Sequence, residues 1–484
     1  MFLKLNHNNL YEIQCMCNLF FVGEKIEITK DRTKKEKAIF VKSFLYEKQN
    51  FFISKTIISI NNFTTIATCK SKNKDKIQVK NLITRSFYFC ALKQGEKAPP
   101  YGIIIGIRPT KIAVQYLLQG FSEKQTANIL KSKYLVRQDK IELLFKTAKY
   151  SNSALALTKQ NSVSIYISIP FCPSRCKYCS FVSHSIEKTH HLIEPYLQKL
   201  CIEIIETAKL VKSCALNVES IYIGGGTPTI LSACQLEKLL FTIKTNYNLD
   251  LIREITIEAG RPDTIDSEKL KIINSFENIR ICINPQTLND AVLLEIGRNH
   301  TSKQFFQAYN KAKEQSIKNI NVDLIIGLEK DSFASFKKTL NSVIKLKPEN
   351  ITLHSLCKKR ASTYSEEGKT NAKTYDLAEK MQEYAINKLC KNGYLPYYIY
   401  KQRNTVDNLE NIGFCKKRFE GLYNIFMMEE LHTVLGIGAG AVTKIVNQKT
   451  NRIERLFNPK YPYEYLERFE TILKQKKTIG DTYD

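Results

Sequence analysis

Cys172, Cys176 and Cys179 form a C-x3-C-x2-C array inside Tyr-Ile-Ser-Ile-Pro-Phe-Cys-Pro-Ser-Arg-Cys-Lys-Tyr-Cys-Ser-Phe, residues 166–181. Three thiolates in one tight loop can ligate three irons of a [4Fe-4S] cluster, and a fourth cysteine would complete the shell. Two positions after Cys179 stands Phe181, so no fourth ligand is offered locally. One iron is then open to a small molecule, which turns an iron–sulfur centre from a wire into a catalyst. Free cysteine is also a common small core residue, but Pro170, Pro173 and Arg175 force a loop here. Structural zinc needs a fourth Cys or His, and the nearest candidate, His184, lies outside the usual pair spacings. Cys172, Cys176 and Cys179 are therefore the catalytic and metal-ligating candidates.

Downstream, polar residues stand where apolar runs end. Gly224-Gly-Gly-Thr-Pro-Thr229 follows one such run. Its glycines let backbone approach a ligand closely and present N–H groups. Glu258 closes another run in Ile-Glu-Ala-Gly-Arg-Pro-Asp263, where a carboxylate suits a ribose or an ammonium group. Gln286, in Asn284-Pro-Gln-Thr287, can donate and accept at the same level. Arg298 lies in Ile-Gly-Arg-Asn-His-Thr301 and Asp323 in Asn-Val-Asp-Leu-Ile-Ile-Gly327. Singly, each reads as a capping or salt-bridge residue; jointly they converge on one face of one barrel.

The elements that must position them follow a regular rhythm. Strand-like runs at 163–169, 219–224, 253–258, 278–284, 319–326 and 350–355 alternate with amphipathic stretches such as 190–210, 233–245 and 333–346. Six β-α repeats predict a parallel sheet or an incomplete barrel, whose chemistry sits at the C-terminal strand ends. Before them, residues 1–95 alternate short β-rich runs, Phe51–Ile58 and Asn62–Thr68 among them, with lysine-rich turns. Lys93–Pro100 reads as a linker, followed by helical patterns to about 150. The expected division is a basic α+β domain at 1–95, a linker and helical segment at 96–160, the core at 161–365 and a mostly helical C-terminal domain at 366–484.

With 484 residues and a net charge of +26, the chain is long enough for two or three domains. Residues 1–160 hold 28 Lys and Arg against 11 Asp and Glu, or +17. Such a balance suits a polyanionic partner, yet no basic-aromatic RNA-binding signature is present, and no nucleic-acid partner is expected. No apolar stretch approaches the roughly 18 residues of a membrane span. The N-terminus lacks the order of a signal peptide, and fourteen scattered cysteines suit a reducing cytoplasm.

The cysteine array resembles the signature of the radical SAM enzymes. That resemblance implies a [4Fe-4S] cluster whose open iron chelates S-adenosylmethionine (SAM), reductive cleavage to a 5′-deoxyadenosyl radical, and a partial (β/α)6 TIM-like barrel. With Gly224–Thr229, Glu258, Asn284–Gln286, Ile296–Thr301 and Asp323–Gly327, the chain is similar to the oxygen-independent coproporphyrinogen III oxidases. Gly106–Lys111, Glu258–Asp263, His354–Ser362, Pro396–Gln402, Asn408–Gly413 and Met428–Lys444 resemble the HemZ-type, coproporphyrinogen dehydrogenase branch. The resemblance runs from about residue 100 to the end, and more faintly before it. It implies that Tyr166, Gly225, Glu258 and Val442 contact the SAM on the cluster. It places a second SAM on Tyr178, Gly226, Thr227, Gln286, Arg298, Asp323 and Cys357. Two departures stand out: Ser168 replaces a strand histidine of the best-studied oxidases, and Phe181 an extra cysteine.

The implied reaction is oxidative decarboxylation of two propionates of coproporphyrinogen III to vinyls, giving protoporphyrinogen IX. The implied partners are this tetra-carboxylate porphyrinogen and a one-electron donor such as flavodoxin or ferredoxin. Four carboxylates ask for cations; Arg108, Arg360 and Lys401 lie in the branch motifs and Arg403 directly follows one. Three rivals share the array: a haem-binding chaperone, a radical SAM enzyme modifying RNA, and a non-catalytic iron–sulfur protein. The chaperones carry a His-Asn-x-x-Tyr-Trp motif, and this chain has no Trp.

Overall fold

The computed structural model describes the chain apart from residues 29–38, 49, 73–74, 107, 160, 180–183, 358–374, 403–404, 448–451 and 481–484. Phe181, Arg360 and Arg403 lie outside the described residues. Two compact units are present: Met1–Phe145 joined by Tyr400–Leu409, and a second that holds most of residues 146–484.

The first unit is built on strands β1 (Phe2–Leu5), β2 (Glu27–Ile28), β3 (Phe40–Lys48), β4 (Phe51–Ile60) and β5 (Phe63–Ser71). They form one sheet in the order β2-β1-β3-β4-β5. β1 runs parallel to β3, while β3, β4 and β5 form antiparallel hairpins. The β4–β5 turn is Asn61-Asn62, both with positive φ, the conformation that matches strand twist in a two-residue hairpin. Helices α1 (Leu10–Phe20) and α2 (Lys76–Lys93) bury Ile13, Met16, Ile83 and Phe87 against Leu3, Val41, Ile58 and Ala67 of the sheet. The returning segment brings Lys401 back to this unit. Its Nζ reaches Ile104 O at 3.3 Å and lies 4.9 Å from the centre of the Tyr101 ring.

The second unit contains β6 (Ser162–Ile169), a short ladder of β7 (Phe171–Cys172) with β8 (His184–Ser185), then β9 (Asn217–Gly225), β10 (Glu254–Glu258), β11 (Ile279–Cys282), β12 (Asn319–Ile326) and β13 (Asn350–Ser355). β6 and β9 to β13 are the six parallel strands expected, paired in chain order. The helices Ile193–Ser213, Ala233–Asn246, Ser267–Ile273, Ser302–Glu314 and Phe333–Leu346 are the crossovers. Alternation along the strands explains the layering. Ile165, Ile167, Ile221, Ile223, Ile257, Ile281 and Val322 are fully buried and make one face apolar. Such a face asks for a helical cover. Ser164, Tyr166, Ser220, Tyr222, Thr256, Glu258, Asn321 and Asp323 alternate with them and make the other face polar.

The sequence reading set residues 366–484 apart; their strands instead continue the core sheet. β14 (Leu395–Lys401) and β15 (Glu410–Cys415) lie beyond β13. β16 (Thr433–Ile437), β17 (Val442–Asn447) and β18 (Arg452–Phe457) lie beyond β6. β16 pairs in parallel with β6, placing Gly436 opposite Tyr166. An unpaired edge on either side of the six strands would leave its backbone groups open. These added strands are short, five to seven residues each, and β16 and β17 are separated by a turn holding Gly438 and Gly440, so periodicity does not mark them. A buried carboxylate anchors this end. Glu203 accepts from Tyr465 Oη (2.6 Å), Gly438 N (2.8 Å) and Asn458 Nδ2 (2.9 Å), with Lys476 Nζ at 3.1 Å. Among the described residues, no helix is long and apolar enough to cross a membrane.

Candidate active site

The cysteine loop leaves the C-terminal end of β6. Cys179 N donates to Cys176 O at 3.1 Å, a tight turn that keeps these two ligand candidates together. The loop is then fixed from three sides. From β9, Gly226 N donates to Ile169 O (2.7 Å) and Thr227 N to Phe171 O (2.8 Å), while Thr227 Oγ1 lies 3.4 Å from Cys172 Sγ. A Cβ on Gly226 would sit 2.4 Å from Phe171 O, and one on Gly225 (φ +103°) 2.8 Å from Ser168 Oγ. The absence of side chains is what lets the two strand ends meet. From the far side, Lys177 N donates to Ile296 O (3.0 Å) and Ser174 Oγ to Gly297 O (3.2 Å).

The third side is cationic. Arg261, 4% exposed, donates through Nη1 to Cys176 Sγ at 3.0 Å and through Nη2 to Ser174 Oγ at 2.5 Å. Arg298 donates through Nη1 to Tyr178 Oη (2.9 Å), through Nη2 to Gly260 O and to Asn284 O (3.0 Å), and through Nε to His300 Nδ1 (3.4 Å). The guanidinium ties the loop to the ends of β10 and β11. Burial lowers the His300 pKa to about 3, and the charges of Arg298 and Arg261 push it the same way, so His300 is neutral between two cations.

At the same mouth, Glu258 of β10 accepts from Tyr222 Oη and from Asn284 Nδ2 (3.1 Å). Burial, with the neighbouring charge of Asp323, raises its pKa to about 7. Burial pushes Asp323 upward as well, but the His354 imidazolium and bonds from Asn321 and Thr352 bring it below its ordinary value. His354 Nε2 lies 3.3 Å from Asp323 Oδ2, and Asn321 Nδ2 donates to Oδ1 at 2.7 Å. Burial opposes protonation of His354; Asp323 overcomes this and raises its pKa. Asn284 joins the Glu258 carboxylate to the backbone of β12, because its Oδ1 accepts from Asp323 N at 3.2 Å. Gln286, with φ +67°, bridges to β12 by Gln286 N to Asp323 O (3.0 Å) and Ile325 N to Gln286 O (2.9 Å). Tyr166, Tyr222 and Tyr423 pack ring on ring, with centroids 4.6 to 6.4 Å apart.

Of the sequence candidates, Cys172, Cys176, Cys179, Tyr178, Gly225, Gly226, Thr227, Glu258, Gln286 and Arg298 lie on the strand ends and the loops that follow β6 and β9 to β11, and Tyr166 and Asp323 lie within β6 and β12. Cys357 follows β13 and is buried. Val442 opens β17, two strands from β6. Arg261, Tyr222, Asn321, His354 and Tyr423 were not selected. A signal for Arg261 existed, three residues after Glu258 in the same loop. The other four depend on strand register and on a helix distant in sequence.

The arrangement has a partial barrel, a three-thiol loop at a strand end and a glycine turn beside it. Residues 166–343 match the Radical SAM superfamily. The chain is 38% identical over 409 residues, 82% of this chain and 80% of the relative, to "Oxygen-independent coproporphyrinogen-III oxidase-like protein HemZ" of Bacillus subtilis. It is 33% identical over 288 residues, 59% of this chain and 70% of the relative, to "Heme chaperone HemW" of Lactococcus lactis. The coproporphyrinogen III oxidase HemN of Escherichia coli shares the fold, with a TM-score of 0.53 and 23% identity over 67% of this chain and 73% of that one. The chain belongs to the radical SAM oxygen-independent coproporphyrinogen III oxidase family, in its HemZ-type branch.

Members of the superfamily use a [4Fe-4S] cluster and SAM. The loop's donor set fits such a cluster: three half-buried thiols, a guanidinium on one sulfur and a hydroxyl on another. Among the described residues, no three His, Cys, Asp or Glu side chains converge on a single ion. A four-iron cluster does not require that, since each thiolate takes a different iron.

Proposed function

We propose that this protein decarboxylates two propionates of coproporphyrinogen III to vinyl groups, giving protoporphyrinogen IX without oxygen. The observation that carries this reading is the 38% identity to the HemZ relative over four-fifths of its length. The mouth chemistry agrees with it. When bound, the cluster and SAM supply hydrogen-atom abstraction, directed here at the propionate β-carbon. Loss of CO2 and one electron from that propionate leaves the vinyl, and a one-electron acceptor must take the electron.

In this reading Cys172, Cys176 and Cys179 hold three irons, and Tyr166, Gly225, Glu258 and Val442 hold the SAM beside them. A second SAM would meet Tyr178, Gly226, Thr227, Gln286, Arg298, Asp323 and Cys357. Arg298 would act there chiefly by bracing Tyr178. Ionised Glu258 can accept from an ammonium or a ribose hydroxyl, and Tyr222 with Asn284 orients it for this. Protonated His354, held by Asp323, offers a cation to a substrate carboxylate. Haem transfer is the second reading, favoured by the HemW relatives. Against it stands the absence of Trp, which removes the C-terminal motif described above.

Anaerobic turnover of the reconstituted protein with SAM, a reductant and coproporphyrinogen III tests the proposal. Protoporphyrin with two deoxyadenosines per molecule is expected. Deoxyadenosine without protoporphyrin would overturn it and leave haem transfer as the reading to pursue.

A further inference from the structure

The five-stranded sheet of the first unit has two unlike faces. α1 and α2 pack on the face of Leu3, Val41, Ile58 and Ala67. The alternate residues point the other way. On this second face the register sets Phe44 opposite Lys55, Lys42 opposite Ile57, Tyr46 opposite Ile53, and Lys48 opposite Phe51. The next strand sets Ile53 opposite Lys70 and Ile57 opposite Ile66. Lys4, paired with Lys42, adds a further cation from β1. Five lysines, Lys4, Lys42, Lys48, Lys55 and Lys70, thus share one face with a row of aromatic rings. Phe44 and Tyr46 stack, with centroids 6.1 Å apart and planes 24° from parallel. Tyr46 and Ile66 are 46% and 45% exposed. β1, β3, β4 and β5 bring no acidic side chain to this face; Glu27 of the edge strand β2 is paired with Phe2, on the side away from β5.

We propose that this face binds single-stranded nucleic acid. The chemistry required is a platform of flat rings for the bases and a set of cations for the phosphates. Lysines without the rings would suit any polyanion, including an acidic protein; the rings interleaved with them favour bases. The charge of the region points the same way, at +17 over residues 1–160. No compact basic-aromatic motif is visible in the sequence because the rings and lysines alternate along separate strands and meet only in register. The inference goes beyond the porphyrinogen reading and does not depend on it.

The test is fluorescence anisotropy of the whole 484-residue chain with a labelled single-stranded RNA of about 20 nucleotides, at salt from about 50 to 200 mM. Saturable, salt-sensitive binding is expected. The double variant Lys48→Ala/Lys70→Ala should weaken it and lower the slope of log affinity against log salt by about 1.4, two contacts at about 0.7 each. Tyr46→Ala should weaken it about tenfold at unchanged slope, as loss of one stacked base does, and Tyr46→Phe should restore it. All three positions are exposed, so the variants should melt with the wild type. No saturable binding would overturn the proposal. Binding that falls with the lysine pair but ignores Tyr46→Ala would also overturn it and assign the face to an acidic macromolecule.

Discussion

Arg261 donates to the sulfur of Cys176 at 3.0 Å from a site that is 4% exposed. Its other fork nitrogen holds Ser174 within the same loop. A buried cation against a ligand sulfur favours the more negative oxidation state of the cluster that the loop is built to hold, because hydrogen bonds to sulfur and net charge set the potential. Arg261→Gln should therefore lower the reduction potential. Losing one charge-assisted bond is worth about 1.5 kcal/mol or more, or about 60 mV for one electron. Arg261→Lys should fall between, since it keeps the charge and loses the fork. An EPR-monitored redox titration reads this without turnover, and an unchanged potential in Arg261→Gln would sink the role.

Gly226 leaves no room for a methyl group, since a Cβ would meet the Phe171 carbonyl at 2.4 Å and the Ile169 carbonyl at 2.9 Å. Both are backbone atoms of the chain that leads into Cys172, so any relief moves the first ligand candidate. Gly226→Ala should take up less than about half the wild-type iron after identical anaerobic reconstitution, because metal affinity depends on a preformed ligand set. Gly480→Ala is the control, a glycine whose φ is likewise not positive and whose Cβ would meet nothing closer than Leu210 Cδ1 at 3.6 Å. Equal iron content in Gly226→Ala and the wild type would contradict this account.

Much of this site was legible in the sequence, and the reason is local. The cysteine loop, the glycine turn and Glu258 each announce themselves by spacing against a strand end, and Asp323 by standing as a carboxylate within a mainly apolar strand. The six parallel strands were legible for the same reason: Asn319–Ile326 and Asn350–Ser355 fall where the alternation put them. What stayed hidden is what pairing creates. His354 meets Asp323 because β12 and β13 are neighbours in a particular register, and Tyr423 joins Tyr166 and Tyr222 from a helix (Leu422–Glu429) more than 190 residues downstream of the latter. Thr433–Ile437 runs into the glycine-rich Gly436–Gly440, and only the pairing with β6 marks it as a strand. A sequence shows which groups a residue carries, not which edges need covering.

Glu258 gives the apo protein a pH-dependent stability. Burial and Asp323 raise its pKa from 4.5 to about 7. A carboxyl raised in this way stabilises the fold fully below its ordinary value and loses that contribution as pH rises through the folded value. Tyr222, Asn284, Cys282 and Asp323 face it, and Tyr166 and His354 also feel its charge. Glu258→Gln stays neutral throughout, so its Tm relative to the wild type should climb between about pH 5 and pH 8. A constant difference across that range would show that Glu258 is ionised at every pH tested.

The His354–Asp323 pair should behave with a window of its own. Asp323 is held below its ordinary 3.8, so its contribution is present above that value and lost as pH falls through the lowered one. His354 is held above its ordinary 6.5, so its contribution is present below that value and lost as pH rises through the raised one. The pair therefore contributes most between about pH 4 and pH 6.5. His354→Leu removes the cation and leaves a carboxylate whose side chain is 15% exposed. Breaking a fully buried pair costs about 3–5 kcal/mol; with His354 itself 28% exposed, about 2 kcal/mol is the expected loss near pH 6. At pH 9 the wild type has already lost the imidazolium, so the two proteins should melt closer together. Thermal melts at the two pH values decide it: an equal gap at both would mean that His354 supports the fold by shape alone, and that the mouth carries no paired cation for a substrate carboxylate to meet.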